Sequence, residues 1–239
     1  TLCADQIVNH ICKFSGMSPG VTVPVVIRTH LGGGRGYGAT HSQTIEKMFL
    51  GILNLHVVAP SHAHSPGRLL HHAVLNDDSP VLFIENKLLY PLPLIAGSGK
   101  LRVTTVDEID GYPTVIASNF SSGCPDVTLI AYGGLSRLIL PVMERFADEE
   151  INLTCVMPSS LRPVPIATLV EAIHPRSRVL VVEEGTAGFN WGSEIASLLY
   201  ENAFAKLAHP IRRLASDDRL IPSAAKLEDE VLITESKIE

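Results

Sequence analysis

No Cys-x-x-Cys pair, no Gly-Lys-Ser/Thr triplet and no basic stripe occur in this 239-residue chain. Each absence removes a class. Without a Gly-Lys-Ser/Thr triplet there is no P-loop. The net charge of -6, with no clustering of Lys and Arg, argues against nucleic acid as a partner. No apolar run approaches the ~20 residues a membrane span needs, so no membrane partner is expected. The opening, Thr1 to His10, lacks the basic-then-apolar layout of a secretory signal. The cysteines are Cys3, Cys12, Cys124 and Cys155, and Cys155 lies in an apolar run from Leu153 to Met157, where a buried free thiol is expected. A reducing, intracellular location follows from that usage.

What is present is ordinary globular material. Hydrophobic residues make up 46% and charged residues 18%, enough for a sizeable core in one or two domains. Short apolar runs alternate with helical patterns. Strands are predicted at Pro24–Arg28, His56–Val58, Val81–Ile84, Val127–Ala131, Leu153–Met157, Val179–Val182 and Ile211–Leu214. Helices are predicted at Ala4–Phe14, His41–Leu50, Gly67–Leu75, Leu135–Asp148, Ile166–Ile173 and Ser193–Phe204. Continuous apolar runs, with no polar alternation, indicate strands covered on both faces, as in a parallel sheet. The fold class expected is α/β, with two doubly wound domains. Their bounds are 1–95 and 126–239. Residues 96–125, rich in Pro and Gly, are predicted to be a linker with an edge strand at Leu101–Val106. A chain that opens on Thr with a helix already in progress at Ala4 is expected to be a fragment.

The most informative segment runs from Ile27 through the glycines Gly32, Gly33, Gly34, Gly36 and Gly38 to His41-Ser42-Gln43. A strand ends, a glycine-dense loop follows and a helix begins. In open α/β sheets ligands sit beyond the strand carboxyl ends. Gly34, Gly36 and Ala39 match Gly-x-Gly-x-x-Ala, but the next strand runs into Ala59-Pro60-Ser61 with no acidic residue, so a dinucleotide loop is rejected. Thr40 and Gln43 fit a capping box, which would place His41 in the first helical turn. The positive end of that helix would favour a neutral imidazole, able to donate a hydrogen bond or shuttle a proton. On residue type alone, a His41 that merely caps or packs is the favoured reading.

The ordered series of motifs extends the reading. Pro24–Arg28, the glycine loop and His41-Ser42-Gln43 are followed by Val58-Ala59-Pro60, Gly67-Arg68-Leu69-Leu70, Pro80-Val81, Glu85 and Tyr90. The second half carries Asp126–Gly133, Arg162–Pro165, Val181–Gly185 and Gly192–Ala196. Nearly the whole chain thereby resembles the beta subunit of the thiamine-diphosphate-dependent decarboxylating component of 2-oxo acid dehydrogenase complexes, of the pyruvate and branched-chain type. The resemblance implies a truncated pyrimidine-binding-type domain followed by a transketolase carboxy-terminal-type domain. It implies decarboxylation of a 2-oxo acid on thiamine diphosphate with magnesium, held together with an alpha-type partner, and acyl transfer to a lipoyl acyltransferase component. A second beta subunit would complete a heterotetramer, in a bacterial cytoplasm or an organelle matrix. His41 matches the family's active-site histidine. Val25, Val74, Asp77 and Ser79 match the positions of a potassium site, with Ser79 in place of a usual Asn. The family's cofactor-activating glutamate would lie upstream of Thr1, so the isolated chain is expected to be inactive. The alternative is a non-catalytic assembly module derived from the same family. A deoxyxylulose-phosphate synthase relative is disfavoured by His41-Ser42-Gln43. His30 stands where the family often has proline and is kept as a minor site candidate.

Two further groups are weighed. His62, His64, His71 and His72 resemble a metal cluster, but adjacent helical positions point about 100° apart, so solvated loop and helix residues are expected. Glu183-Glu184-Gly185 ends a strand, and its expected role is a turn and inter-subunit contact. The small residues Gly192, Ser193, Ala196 and Ser197 predict a dimer interface on their helix.

Overall fold

The computed structural model describes residues 3–97 and 99–239, with nothing said of the side chains at 107–109. Its strands are β1 (Val26–Leu31), β2 (His56–Val58), β3 (Val81–Asn86), β4 (Arg102–Ile109), β5 (Tyr112–Ser118), β6 (Val127–Ile130), β7 (Leu153–Pro158), β8 (Ser160–Arg162), β9 (Arg178–Thr186) and β10 (Arg212–Ser216). The helices are α1 (Cys12–Met17), α2 (Gly38–His41), α3 (Pro66–Leu75), α4 (Ser136–Asp148), α5 (Ile166–Ala172), α6 (Trp191–Ala203), α7 (Ala225–Val231) and α8 (Glu235–Ile238). A π-helical stretch, Gln6–Ile11, precedes α1, so the predicted first helix exists but changes its winding midway.

Two sheets organise the chain. The first has the order β1-β3-β2-β8, parallel except where β8 joins β2 antiparallel. The second has the order β10-β9-β6-β7-β5-β4, parallel from β10 to β7 and antiparallel at β5 and β4. All six residues of β7 are buried, the outcome expected for a run covered on both faces. The largest apolar cluster crosses between the sheets. It includes Leu31, Leu82 and Ile84 from the first together with Ile130, Val156 and Val181 from the second. Trp191 and Ile195 of α6 close it.

Three expectations are corrected. Residues 96–125 are not a plain linker: the expected edge strand is found as β4, at the edge of the second sheet, and β5 pairs with it in an antiparallel hairpin. The segment Ser160–Arg162, inside the predicted second domain, supplies β8 to the first sheet one residue after β7 leaves the second. The predicted helix His41–Leu50 is absent: α2 ends at His41, and the chain continues irregularly to a single 3-10 turn at Glu46–Met48. Ser42, Glu46 and Phe49 are buried at the i, i+4, i+7 spacing that suggests a helix, but long-range bonds hold this segment: Tyr132 O–H donates to Glu46, and Lys47 Nζ donates to Thr186.

Candidate functional site

At the carboxyl end of β1 the chain leaves the sheet as the segment Gly32–Gly38. Gly32, Gly34, Gly36 and Gly38 all have positive φ, a region that costs glycine little and other residues much. Space enforces the same choice. A Cβ on Gly32 would stand 2.4 Å from Asn86 Nδ2, and one on Gly38 would stand 2.6 Å from Ser223 Oγ. The loop lies flat against the second half of the chain. The Gly33 N–H donates to Glu184 Oε1 at 2.6 Å. The Gly34 and Gly36 N–H groups donate to Glu228 Oε1 and Oε2, each at 2.9 Å.

This loop delivers His41 to the surface. His41 closes α2, with Tyr37 as N-cap, so neither the capping box nor a place at the positive end of a helix is found. The helix-dipole reason for a neutral ring therefore falls away. Thr40 Oγ1 lies 2.9 Å from His41 Nδ1, and Gln43 Nε2 donates to the Thr40 carbonyl at 3.1 Å. The ring is exposed, with one nitrogen engaged by Thr40. His30, at the end of β1, is exposed on the same mouth. Its pKa is lowered by partial desolvation, then by the charges of Lys87 and Arg35, with a smaller contribution from His41.

Behind the loop lies a group of buried acids that only Glu183 and Glu184 announced. Glu46 is 1% exposed, and Tyr132 O–H donates to its Oε1 at 2.6 Å. Glu183 is equally buried, and its Oε1 accepts the Gly192 N–H at 3.1 Å. Glu46 Oε1 and Glu183 Oε2 both approach the Cβ direction of Gly185, at 3.2 Å and 3.8 Å. Glu46 Oε2, Glu183 Oε2, Ser42 Oγ and Trp191 Nε1 have no hydrogen-bond partner among the described residues. Burial raises the pKa of Glu46 and Glu184 and pushes Glu183 up to about 7; the charge of Glu46 also raises Glu183 and Glu184. These acids are therefore held toward their neutral forms. The void that Glu46 and Glu184 share with Tyr132 and Asn86 is about 20 Å³, the scale of a single water, so no cofactor ring enters there.

At the matched potassium positions the structure shows a hydrogen-bonded cluster around Asp77. Asp77 Oδ2 is bonded by His56 Nδ1 and by Tyr112 O–H, each at 2.8 Å, and Asp77 Oδ1 accepts the Ser79 N–H at 2.9 Å. The Val25 carbonyl accepts from the Val81 N–H. Val74 lies exposed in α3. Any cation at these positions would share the Asp77 and Val25 oxygens with the protein donors they already serve. No group of three or more His, Cys, Asp or Glu that could hold a metal occurs among the described residues.

The histidine group is also corrected. His62 and His64 are buried, not solvated. His62 Nδ1 lies 2.7 Å from Ser136 Oγ, and His64 is held between Ser61 and the Pro113 carbonyl. Burial pulls His64 down to about 4, so it is neutral in ordinary buffers. His71 is exposed, while His72 packs edge-on against Tyr112.

Residues 9–93 match the transketolase pyrimidine-binding domain family, and residues 119–238 match the transketolase C-terminal domain family. The chain is 32% identical over 225 residues to the mitochondrial pyruvate dehydrogenase E1 component subunit beta-1 of Arabidopsis thaliana, covering 94% of this chain and 60% of the relative. It is 31% identical to the corresponding beta subunit of Rickettsia conorii, covering 98% of this chain and 69% of that protein. This chain belongs to the transketolase-like family that contains the pyruvate dehydrogenase E1 beta subunits. It spans about 60% of the length of the Arabidopsis relative. The beta subunit of the acetoin:2,6-dichlorophenolindophenol oxidoreductase of Bacillus subtilis is 28% identical over 99% of this chain. A solved structure described as a split-gene transketolase, an inactive beta4 tetramer, aligns with a TM-score of 0.65 over 98% of this chain and 68% of its own, at 20% identity, and so bears on the fold alone.

Membership makes thiamine diphosphate the group to test against the residues. No carboxylate among the described residues at this mouth is open to receive an aminopyrimidine. Glu85 is held by Arg28 in a two-point pair, Glu46 is enclosed with Tyr132, and Glu184 is engaged by Gly33 and Asn86. The chain's own residues do not fit a complete cofactor site. At the mouth, His41 and His30 are exposed.

Proposed function

We propose that this chain is the beta-type portion of a 2-oxo acid dehydrogenase decarboxylating component, contributing His41 to a site completed by an alpha-type partner. The observation that carries this reading is the exposed His41 ring, steadied through Nδ1 by Thr40 and placed beyond a parallel-strand terminus by a loop that only glycine can form. Such a ring is available to hold or deliver a proton at a substrate oxygen. Family membership supports thiamine diphosphate as the cofactor, with magnesium contacts supplied by the partner. Pairing with a second beta subunit is supported by an apolar surface beside α6, where Phe189, Tyr200 and Phe204 are exposed. The lipoyl acyltransferase component is the acyl acceptor in this reading.

The test has two arms. The 239-residue chain alone is assayed for thiamine diphosphate binding by calorimetry and for turnover of pyruvate, a branched 2-oxo acid and acetoin. Neither tight binding nor turnover is expected, because among the described residues no free carboxylate faces the mouth. The full-length parent with its alpha-type partner is then assayed with the same substrates, cofactor and magnesium. Decarboxylation that falls at least a hundredfold in His41→Ala supports the reading. Unchanged turnover in that variant refutes His41's role. Absence of turnover in any assembly favours the non-catalytic alternative, for which the closed carboxylates already speak.

A further inference from the structure

The glycine loop belongs to the first sheet, but every carboxylate holding it belongs to the second half of the chain. Glu184 sits near the end of β9, and Glu228 sits in α7. Glu228 is 2% exposed and spends both oxygens on the loop, on Gly34 and Gly36. Glu184 divides its oxygens between Gly33 and Asn86 Nδ2, the latter at 3.2 Å. The same C-terminal segment supplies the steric floor: Leu232 Cδ1 would lie 2.2 Å from a Cβ on Gly33, and the Ser223 carbonyl 3.0 Å from one on Gly36. Ser42, the residue after His41, folds back so that its carbonyl approaches Gly33. The loop and the histidine turn thus share one set of restraints.

We propose that Glu228, assisted by Glu184, is a positioning residue for His41: a carboxylate clamp from the second domain that fixes the glycine loop and hence the place of the ring. A backbone with four positive-φ glycines has little of its own to select one conformation beyond Arg35, which donates to the Gly32 carbonyl and stacks on Tyr37. Three short backbone N–H bonds, two to Glu228 and one to Glu184, do that work from outside. Nothing in α7 itself needs a buried acid at 228, since its packing partners there are apolar, Ile221, Val231 and Leu232. The inference rests on the reading of His41 as the working residue, and it is tested so that the two can fail separately.

Hydrogen–deuterium exchange of the full chain is followed for a peptide spanning residues 32–41, with a β6–β7 peptide as internal control. Glu228→Ala removes both acceptors and is expected to speed exchange of the loop at least tenfold while the control stays within twofold. Glu228→Gln keeps the side-chain volume and carries the test if Glu228→Ala does not fold. It retains one acceptor and turns the other oxygen into a donor facing a donor, so roughly a tenfold acceleration is expected there as well. In parallel, ring-labelled histidine spectra, with the His41 signal assigned through His41→Asn, should show His41 shifted or broadened in both variants and His64 unmoved. Loop exchange within twofold of wild type in a folded Glu228→Gln protein, with an unmoved His41 signal, overturns the proposal. In the assembled enzyme the same variant is expected to lower kcat tenfold or more with KM for the 2-oxo acid little changed. A moved His41 signal in an assembly with no turnover would sustain the clamp and refute the catalytic reading.

Discussion

Replacing Asp77 by Asn tests most directly whether this part of the chain is a hydrogen-bonded cluster or a cation site. The Asp77 carboxylate takes three donors: His56 Nδ1, Tyr112 O–H and the Ser79 N–H. Burial alone would raise its pKa, but those three donors together outweigh burial and leave it below 3.8. His56 is held above 6.5, first by its bond to Asp77. Hydrogen bonds to a charged acceptor contribute about 1.5–3 kcal/mol each. Asn keeps one carbonyl oxygen and turns the other position into a donor, so roughly one strong bond is lost and one donor pair is opposed. A net loss of about 3 kcal/mol follows, or roughly 6–12 °C in Tm for a chain of this size. The sign with pH is set by the two shifts. The lowered Asp77 contributes fully above 3.8 and is lost as pH falls through its folded value; the raised His56 contributes fully below 6.5 and is lost as pH rises through its folded value. The Tm gap between wild type and Asp77→Asn should therefore be widest between 3.8 and 6.5 and narrow on both sides. Circular dichroism melts across that range measure it, in potassium and in sodium at equal ionic strength. A gap under about 2 °C throughout would refute the cluster energetics. A rise in wild-type Tm specific to potassium, absent in Asp77→Asn, would restore the cation site.

Glu183 is pushed up to about 7 from 4.5, chiefly by burial, so its contribution is fully present below 4.5 and lost as pH rises through about 7. Glu183→Gln, which cannot ionise, should gain stability relative to wild type across that interval in urea unfolding; a pH-independent difference would mean that the carboxyl ionises freely in the fold. Gly32→Ala places a Cβ at φ +98 and 2.4 Å from Asn86 Nδ2, and should cost about 1–3 kcal/mol together with faster exchange in the loop; a fully stable variant would refute the account of the glycines.

The strands buried on both faces were legible because burial on both faces leaves one kind of residue. His56–Val58 and Val81–Ile84 are found where the apolar runs stand, and β7 extends Leu153–Met157 by one residue. Of the hairpin, the edge strand expected at Leu101–Val106 is found as β4, while β5 was missed because Tyr112–Ser118 carries a proline in a stretch rich in Pro and Gly. The hairpin's turn did carry a signal: Asp110-Gly111 adopts φ of 48° and 79°, the two positive values that an Asp-Gly pair supplies in a tight hairpin. The helix predicted from His41 failed although Ser42, Glu46 and Phe49 are buried at helical spacing, because local periodicity does not reveal that Glu46 and Lys47 bond Tyr132 and Thr186 of the second half. Of the site, His41 and its glycines could be read locally. Glu46, Tyr132 and Glu228 could not, since each finds its partner far along the chain: Tyr132 meets Glu46 across 86 positions, and Glu228 meets Gly34 across 194.

That distance has a physical consequence for how the two halves divide their work. The first sheet carries the histidines that open to solvent, but it holds their loop with almost nothing of its own. β8 comes from the second half and pairs with β2, Tyr132 from the second half holds Glu46, and Glu184 and Glu228 hold the glycines. Each restraint joins the reactive edge to the second sheet, and each is a polar bond in or beside a dry seam, where an unmade bond is costly. A rigid edge of this kind can meet a partner surface with little reordering, which keeps the entropic cost of assembly low. The buried acids sharpen the point: because burial holds Glu46 and Glu183 toward neutrality, the charges that act on His30 at the mouth are those of Lys87 and Arg35, opposed by Glu85, which Arg28 already pairs.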